Sequence, residues 1–556
     1  MHDRRGDSMS ALARGVVVIA GASLAASLSC GSGATTSAST ADIADVQQEP
    51  LLQPRNPTHS LGAAVVIHDL AEPLQRIEAQ IAGAAAKVPS DRVLPLVRSL
   101  LDEPWALPEV AAALVQSTQH PRAGLAVASF AAMALGADAP APEGIGRQPI
   151  DRGWAGIQAL QYFLGAGDLR VQEALEPILR AASQEYGVPM PTADEVNAMT
   201  EEEVMQFREA WEALRRRFAH DALRFLSVIE QTPMPQGEDL ELDRRMAAFA
   251  TLMDRSRIAS SAALADLEFD FSIDWSKEKP GELPEELAGA VEGEILKVLK
   301  FEPFGWLVVG GTGSNTYDMS RIAGVFDPGG DDRYEWHDTV VGSRAIIDLE
   351  GNDTYVSTGP VGPAGAVLGF SLIRDLKGND RYEGLTLSSG AAIFGAGVLI
   401  DDEGDDVHIA HAFSQGAACF GVVILLDLAG SDRYHGVVLC QGVGGPMAAG
   451  ALIDRSGHDL YSVIGAPSAY GTPATFRAFS QGVGYGVRRD LPGGIGVLVD
   501  DAGDDRYQAG EFAQGGGYFF ALGILADRAG RDLYHGDRYA QGFAAHQAFG
   551  ILLDFA

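Results

Sequence analysis

The chain is poor in cysteine and in basic residues, and it lacks the short signatures that mark common enzymes. No His-Glu-x-x-His, Gly-x-Ser-x-Gly, Walker loop or Cys-x-x-Cys occurs, so the usual zinc, hydrolase and nucleotide signals are absent. Lysine and arginine total 41 against 75 aspartates and glutamates, a net charge of −34. That charge repels phosphates, excludes nucleic acid as a partner and fits an exported, cation-tolerant protein. The apolar run from Gly15 to Leu28 is too short for a stable membrane anchor. Only three cysteines occur, Cys30 near the start and Cys419 and Cys440 far downstream.

Against these scarcities stands a repeat. The phrase Asp-x-x-Gly-x-Asp-x-Tyr begins at Asp327, Asp348, Asp375, Asp401, Asp427, Asp454, Asp500 and Asp527, with a ninth leading aspartate at Asp554. From Asp348 the steps are 27, 26, 26, 27, 46, 27 and 27 residues. The long step is one repeat plus an insertion at 462–480. A fixed period in this range indicates a solenoid or an array, and 26–27 residues is short for a four-stranded propeller blade. A row of independent hairpins is the other alternative.

Each repeat has one grammar. Three apolar residues precede the leading Asp, as in Val398-Leu399-Ile400 and Val497-Leu498-Val499, and read as a strand buried on both faces. Asp-x-x-Gly is a turn, because Asp bonds its own downstream backbone and Gly accepts positive φ. A second strand carries Asp-x-Tyr. Gln-Gly follows at Gln415, Gln441, Gln514 and Gln541, with Gln481 equivalent beyond the insertion, and stacked glutamines predict amide ladders. Cys419 and Cys440 lie 18 and 13 residues after their leading aspartates, so they do not stack and read as buried free thiols.

If each repeat is one coil, about nine coils at the ~4.8 Å strand spacing give a rod on the order of 43 Å long. Like then sits over like, which creates an electrostatic cost. Neighbouring carboxylates at ~4.8 Å repel by roughly 0.9 kcal/mol in water and ~3.5 kcal/mol at an effective dielectric of 20. Arg333, Arg381, Arg433 and Arg506 stand beside the acids in sequence, but strand alternation sends them to the opposite face. A hard cation held by carboxylates and turn carbonyls answers the cost, and calcium suits such oxygen-rich sites. Well-formed Asx-turns with solvated acids are the alternative.

Gly351-Asn352-Asp353-Thr354-Tyr355 and Gly378-Asn379-Asp380-Arg381-Tyr382 resemble the calcium-binding nonapeptide of repeats-in-toxin proteins, and Gly310-Gly311-Thr312-Gly313-Ser314-Asn315-Thr316-Tyr317 follows it with Asn for Asp. The resemblance implies calcium held in a parallel β-roll by the motif Asp and loop carbonyls. By position the matching acids are Asp332, Asp353, Asp380, Asp406, Asp432, Asp459, Asp505 and Asp532. This chain has one motif per repeat rather than tandem nonamers, and Asp mostly replaces the first Gly.

Ahead of the repeats, residues 1–30 read as an export signal, and Ser27-Leu28-Ser29-Cys30-Gly31 resembles a bacterial lipoprotein cleavage box with Leu displaced by one position. Cys30 is then the lipidated residue; plain secretion is the alternative. Residues 31–60 form a flexible tether and 61–300 a helical bundle. Leu70, Leu74, Ile77 and Ile81 keep helical spacing, and Thr192 with Glu195 and Thr200 with Glu203 form capping boxes. The second box opens an amphipathic helix with a stripe from Val204 through Phe218 and Phe225 to Ile229. Linkers fall at 137–144 and 232–237, and 267–274 alternates as a half-buried strand, either capping the first coil or standing alone in a connecting loop.

The sequence therefore predicts an α+β multidomain chain: a helical domain, then a parallel β-solenoid over 301–556. The function expected is that of a structural or adhesive protein, secreted or lipid-anchored at the outer membrane or cell surface. Its partners are the membrane, a polysaccharide or another surface protein. Calcium would be held by the leading and second aspartates of each repeat. A carbohydrate-active β-helix enzyme is the alternative, with Asp401-Asp402-Glu403, Asp405-Asp406, Asp500-Asp501 and Asp504-Asp505 as its acid groups and Tyr470, Phe476 and Arg477 walling a groove. His435 and His535 share one outward offset, while His408 replaces the motif Tyr beside His411.

Overall fold

The computed structural model describes residues 79–555 except 84–85, 121, 138–154, 190, 192–194, 196–198, 232–235, 267–274, 276–277 and 469–474. The leader, Cys30, the tether, the strand expected over 267–274, Thr192, and the 137–144 and 232–237 linkers apart from Ala137, Gln236 and Gly237 lie outside the described residues. A helical N-terminal region is followed by a large, mostly parallel sheet region.

Seven α-helices are described: α1 (Pro95–Asp102), α2 (Leu107–Ser117), α3 (Ala123–Leu135), α4 (Ala155–Tyr186), α5 (Glu201–Gln231), α6 (Glu238–Ala250) and α7 (Arg255–Ala262). The expected capping box opens α5. Glu203 accepts from the Thr200 N–H at 2.8 Å, and the Glu203 N–H donates to the Thr200 hydroxyl at 3.3 Å. On α5 the expected stripe is buried from Leu214 onward, at Phe218, Ala222, Phe225 and Ile229. Among the described residues no helix is long and apolar enough to cross a membrane.

Strands begin at Val291, inside the segment expected to be helical. They build three main sheets. The aspartate sheet has eleven strands, including Ala396–Asp401, Val422–Asp427 and Ala449–Asp454. The tyrosine sheet has ten strands, such as Arg433–Gly436 and Arg506–Ala509, and a sheet of small residues has seven, such as Ala391–Ile393 and Ala417–Cys419. After the opening antiparallel pairs, every neighbour within these sheets is parallel and comes from the adjacent repeat.

Register is kept repeat after repeat. Asp348 pairs with Asp375, Asp375 with Asp401, Asp401 with Asp427, and Asp427 with Asp454. The column continues through Asp500 and Asp527 to Asp554.

The aspartate strands are buried on both faces, and alternation explains how. In Val422–Asp427, Leu425 points to the side of the tyrosines and Val423 meets the alanines of the small-residue sheet. Val422, Ile424 and Leu426 point the other way into a core shared with the helices. Helix α4 lies on the early strands, and α3 and α7 lie on Val422–Asp427. On α5, Phe218 and Phe225 pack on Phe394 and Phe420, with centroids 5.1 and 5.3 Å apart. The helices are thus a layer over an aliphatic sheet face that water would otherwise wet. The sequence reading treats them as a bundle of their own.

Candidate functional site

Because the leading Asp follows Leu or Ile by two positions, alternation turns it to the same side as Leu399 and Leu425, toward the tyrosines. Asp348, Asp375, Asp401, Asp427, Asp454 and Asp500 are fully buried. Except at Asp401 and Asp527, one carboxylate oxygen accepts the N–H two residues on, making the expected Asx-turn: Gly329 to Asp327 at 2.9 Å, Lys377 to Asp375 at 3.2 Å, Ala502 to Asp500 at 3.1 Å. The other oxygen accepts a tyrosine hydroxyl from the preceding repeat. Tyr334 donates to Asp348 at 2.5 Å, Tyr355 to Asp375 at 2.6 Å and Tyr382 to Asp401 at 2.7 Å. Tyr434, Tyr461 and Tyr507 donate to Asp454, Asp500 and Asp527, each at 2.8 Å.

The tyrosines form their own column. Tyr334, Tyr355 and Tyr382 stack with centroids 4.6 and 4.7 Å apart, and Tyr461 and Tyr507 at 4.8 Å. Burial and the facing acids hold their hydroxyls well above the usual range, so they remain donors.

The second acids form a third column, headed by Asn315. The Asp353 N–H donates to Asp380 at 2.6 Å, Asp380 to Asp406 at 2.6 Å, Asp406 to Asp432 at 2.6 Å and Asp432 to Asp459 at 2.7 Å. Each carboxylate therefore accepts through Oδ1 from the neighbouring repeat. No donor reaches Oδ2 of Asp332, Asp353, Asp380, Asp406, Asp432, Asp459, Asp505 or Asp532.

Two acceptors thus face each other in each repeat. Burial first, and then neighbouring carboxylates, hold the leading acids Asp348, Asp401 and Asp427 well above the usual carboxylate range. Burial pushes the second acids up too, to about 8 at Asp353 and Asp432 and about 9 at Asp380 and Asp459. Asp332, Asp406 and Asp505 reach about 6. Clusters such as Asp348, Asp353 and Asp375, or Asp432, Asp454 and Asp459, place ligand oxygens within 4.8 Å of one another and could hold a metal ion. The donorless Oδ2 atoms fit a cation.

Other expected features fall elsewhere. Arg333, Arg381, Arg433 and Arg506 point outward, where Arg381 bonds Glu383 at 3.0 Å, so they do not neutralise the inner acids. His435 and His535 also lie outward. The glutamine ladder forms at one step alone among those described, Gln481 to Gln441 at 3.1 Å. Elsewhere the amides turn to carbonyls of the tyrosine strands, as Gln441 does to Tyr434 at 2.8 Å and Gln514 to His535 at 3.0 Å. A positive φ, +66° at Gln441 and +65° at Gln481, sets the glutamines in a corner that directs them there. Cys419 and Cys440 are buried free thiols.

In the insertion, Tyr470 lies outside the described residues and Phe476 is exposed. Arg477 is buried and donates to the carbonyls of Glu230 and Gln231, so it clamps the C-terminal end of α5 rather than walling a groove. Of the acid groups expected for a carbohydrate-active site, Asp401, Asp406, Asp500 and Asp505 are buried, Glu403, Asp405 and Asp504 are exposed, and the half-buried Asp402 and Asp501 pair with Arg374 and Arg455. Sequence reasoning missed the tyrosine's role as donor, although its presence in almost every repeat was the available signal. Compared with protein-family models, with curated proteins and with solved structures, the chain matches none.

Proposed function

We propose that the chain is an exported structural or adhesive protein, tethered to a bacterial surface through Cys30. Its strand region would be a parallel β-solenoid that takes up calcium along its inner acid columns. Equivalent residues pairing from repeat to repeat support the solenoid. The observation that carries the cation is the row of buried second-acid Oδ2 atoms with no donor, each facing a leading carboxylate. Calcium there would neutralise paired acids and bridge neighbouring repeats, stiffening a rod suited to display or adhesion. Melting curves of the full chain with millimolar calcium and with chelator test this; identical curves at mildly alkaline pH would refute it. Loss of fatty-acid labelling in Cys30→Ala tests the anchor.

A second reading follows from the same atoms. In the repeat of Asp348 and Asp353, three of the four carboxylate oxygens already accept hydrogen bonds. Calcium prefers 6–8 oxygens, whereas one proton shared between the facing acids would satisfy the fourth without any further ligand. The two readings separate by metal analysis of the purified chain.

A further inference from the structure

One repeat breaks the tyrosine column. His408 takes the tyrosine's place, its ring held between Tyr382 and Tyr434 with centroids 4.5 and 4.9 Å away and planes within 5° and 15°. It is fully buried, and neither ring nitrogen has a partner. By register it faces Asp427, the leading acid of the next repeat. Asp427 Oδ1 accepts the Ala429 N–H at 3.2 Å, but its Oδ2 receives only a long 3.3 Å contact from Tyr434, whose hydroxyl donates to Asp454 at 2.8 Å.

Other atoms around this break are also unsatisfied. Asp401 Oδ1, Asp406 Oδ2 and Asp432 Oδ2 lack donors. Asp406, Asp427 and Asp432 offer oxygens within 4.8 Å of one another, as do Asp380, Asp401 and Asp406. An imidazole ends about 2 Å short of where a tyrosine hydroxyl sits, which is about one zinc–nitrogen bond. An ion on the imidazole would thus occupy the place of the hydroxyl oxygen in the other repeats, beside Asp427.

We propose that His408, Asp427 and a neighbouring carboxylate from Asp401, Asp406 or Asp432 form a single site for a zinc-class metal ion. It rests on the premise of the reading above, that the inner acids take cations, and gives one repeat a different selectivity. A nitrogen ligand with a few carboxylates suits zinc, whereas calcium takes an all-oxygen shell. The sealed position means that the ion enters as the chain folds.

The full chain is purified from cells grown with added zinc and calcium, and its metals are counted by plasma mass spectrometry. His408→Tyr rebuilds the column and His408→Phe keeps the stack without nitrogen; circular dichroism checks that both fold. Wild type should retain about one zinc per chain and both variants none, with calcium content in the variants no lower than in wild type. Cobalt-grown wild type should show visible ligand-field absorption that the variants lack. Zinc absent from wild type, or equal in wild type and variants, would overturn the site and leave a water or the general acid columns in its place. Zinc confined to wild type with no calcium in any sample would sink the calcium reading and leave this one standing.

Discussion

Replacing Tyr461 by Phe removes one hydroxyl and keeps the ring in its stack between Tyr434 and Tyr507, whose centroids lie 5.0 and 4.8 Å away. That hydroxyl donates to Asp500 at 2.8 Å, and both groups are fully buried. The substitution leaves a carboxyl oxygen inside the protein without its donor, which costs about 1–3 kcal/mol. A stack of repeats loses stability at the affected interface before it unfolds as a whole. Hydrogen exchange therefore reads the change better than a single melting temperature. At about 1.4 kcal/mol per tenfold, amides of Ile495–Asp500 and Arg506–Ala509 should exchange about 5- to 150-fold faster, provided opening is local. Strands several repeats away, such as Ile322–Asp327, should change little. A local loss below about 0.5 kcal/mol, the size of an ordinary surface substitution, would show that the tyrosine hydroxyls do not hold the acid column.

Stability should depend on pH in an unusual direction. Acids whose folded pKa is raised bind protons more tightly folded than unfolded, so they stabilise below the unfolded value and lose that contribution as pH rises through the folded one. With second acids at about 6 for Asp332 and Asp406, about 8 for Asp353 and about 9 for Asp380, chelated protein should melt progressively lower from pH 6 to 9. Calcium should then raise the melting temperature more at the alkaline end than near pH 5. Gly430→Ala should cost well above the ~1 kcal/mol of a tolerated glycine change, because a Cβ there would sit 1.5 Å from the Gly404 carbonyl oxygen at φ +157°. Denaturant midpoints would measure it. Arg477→Ala should cost about 1–3 kcal/mol by leaving the Glu230 and Gln231 carbonyls of α5 without their buried donor, seen as faster exchange in the last turn of Glu201–Gln231.

Much of the sheet region is legible residue by residue. The spacing from Asp348 to Asp554 already places equivalent residues one repeat apart, and Val398-Leu399-Ile400 reads as a strand covered on both faces. Thr200 and Glu203 announce the start of α5 because a cap is a local hydrogen bond. The glutamines misled because an amide ladder and a bond to a neighbouring carbonyl demand the same residue; the choice depends on which carbonyls the folded chain brings within reach, Tyr434 for Gln441 and His535 for Gln514. Arg477 misled because its partners lie 246 and 247 residues earlier in the chain.

Local chemistry was enough to set the period, the turns and the burial of the aliphatic strands, since each depends on residues a few positions apart. Three matters needed the folded chain: that Asp500 meets the hydroxyl of Tyr461 from the repeat before, that Asp432 bonds the backbone of Asp406, and that the helices roof the aspartate sheet. Alternation tells which residues share a side of a strand. What stands opposite them is settled only when the sheets close on one another and bring distant segments into contact.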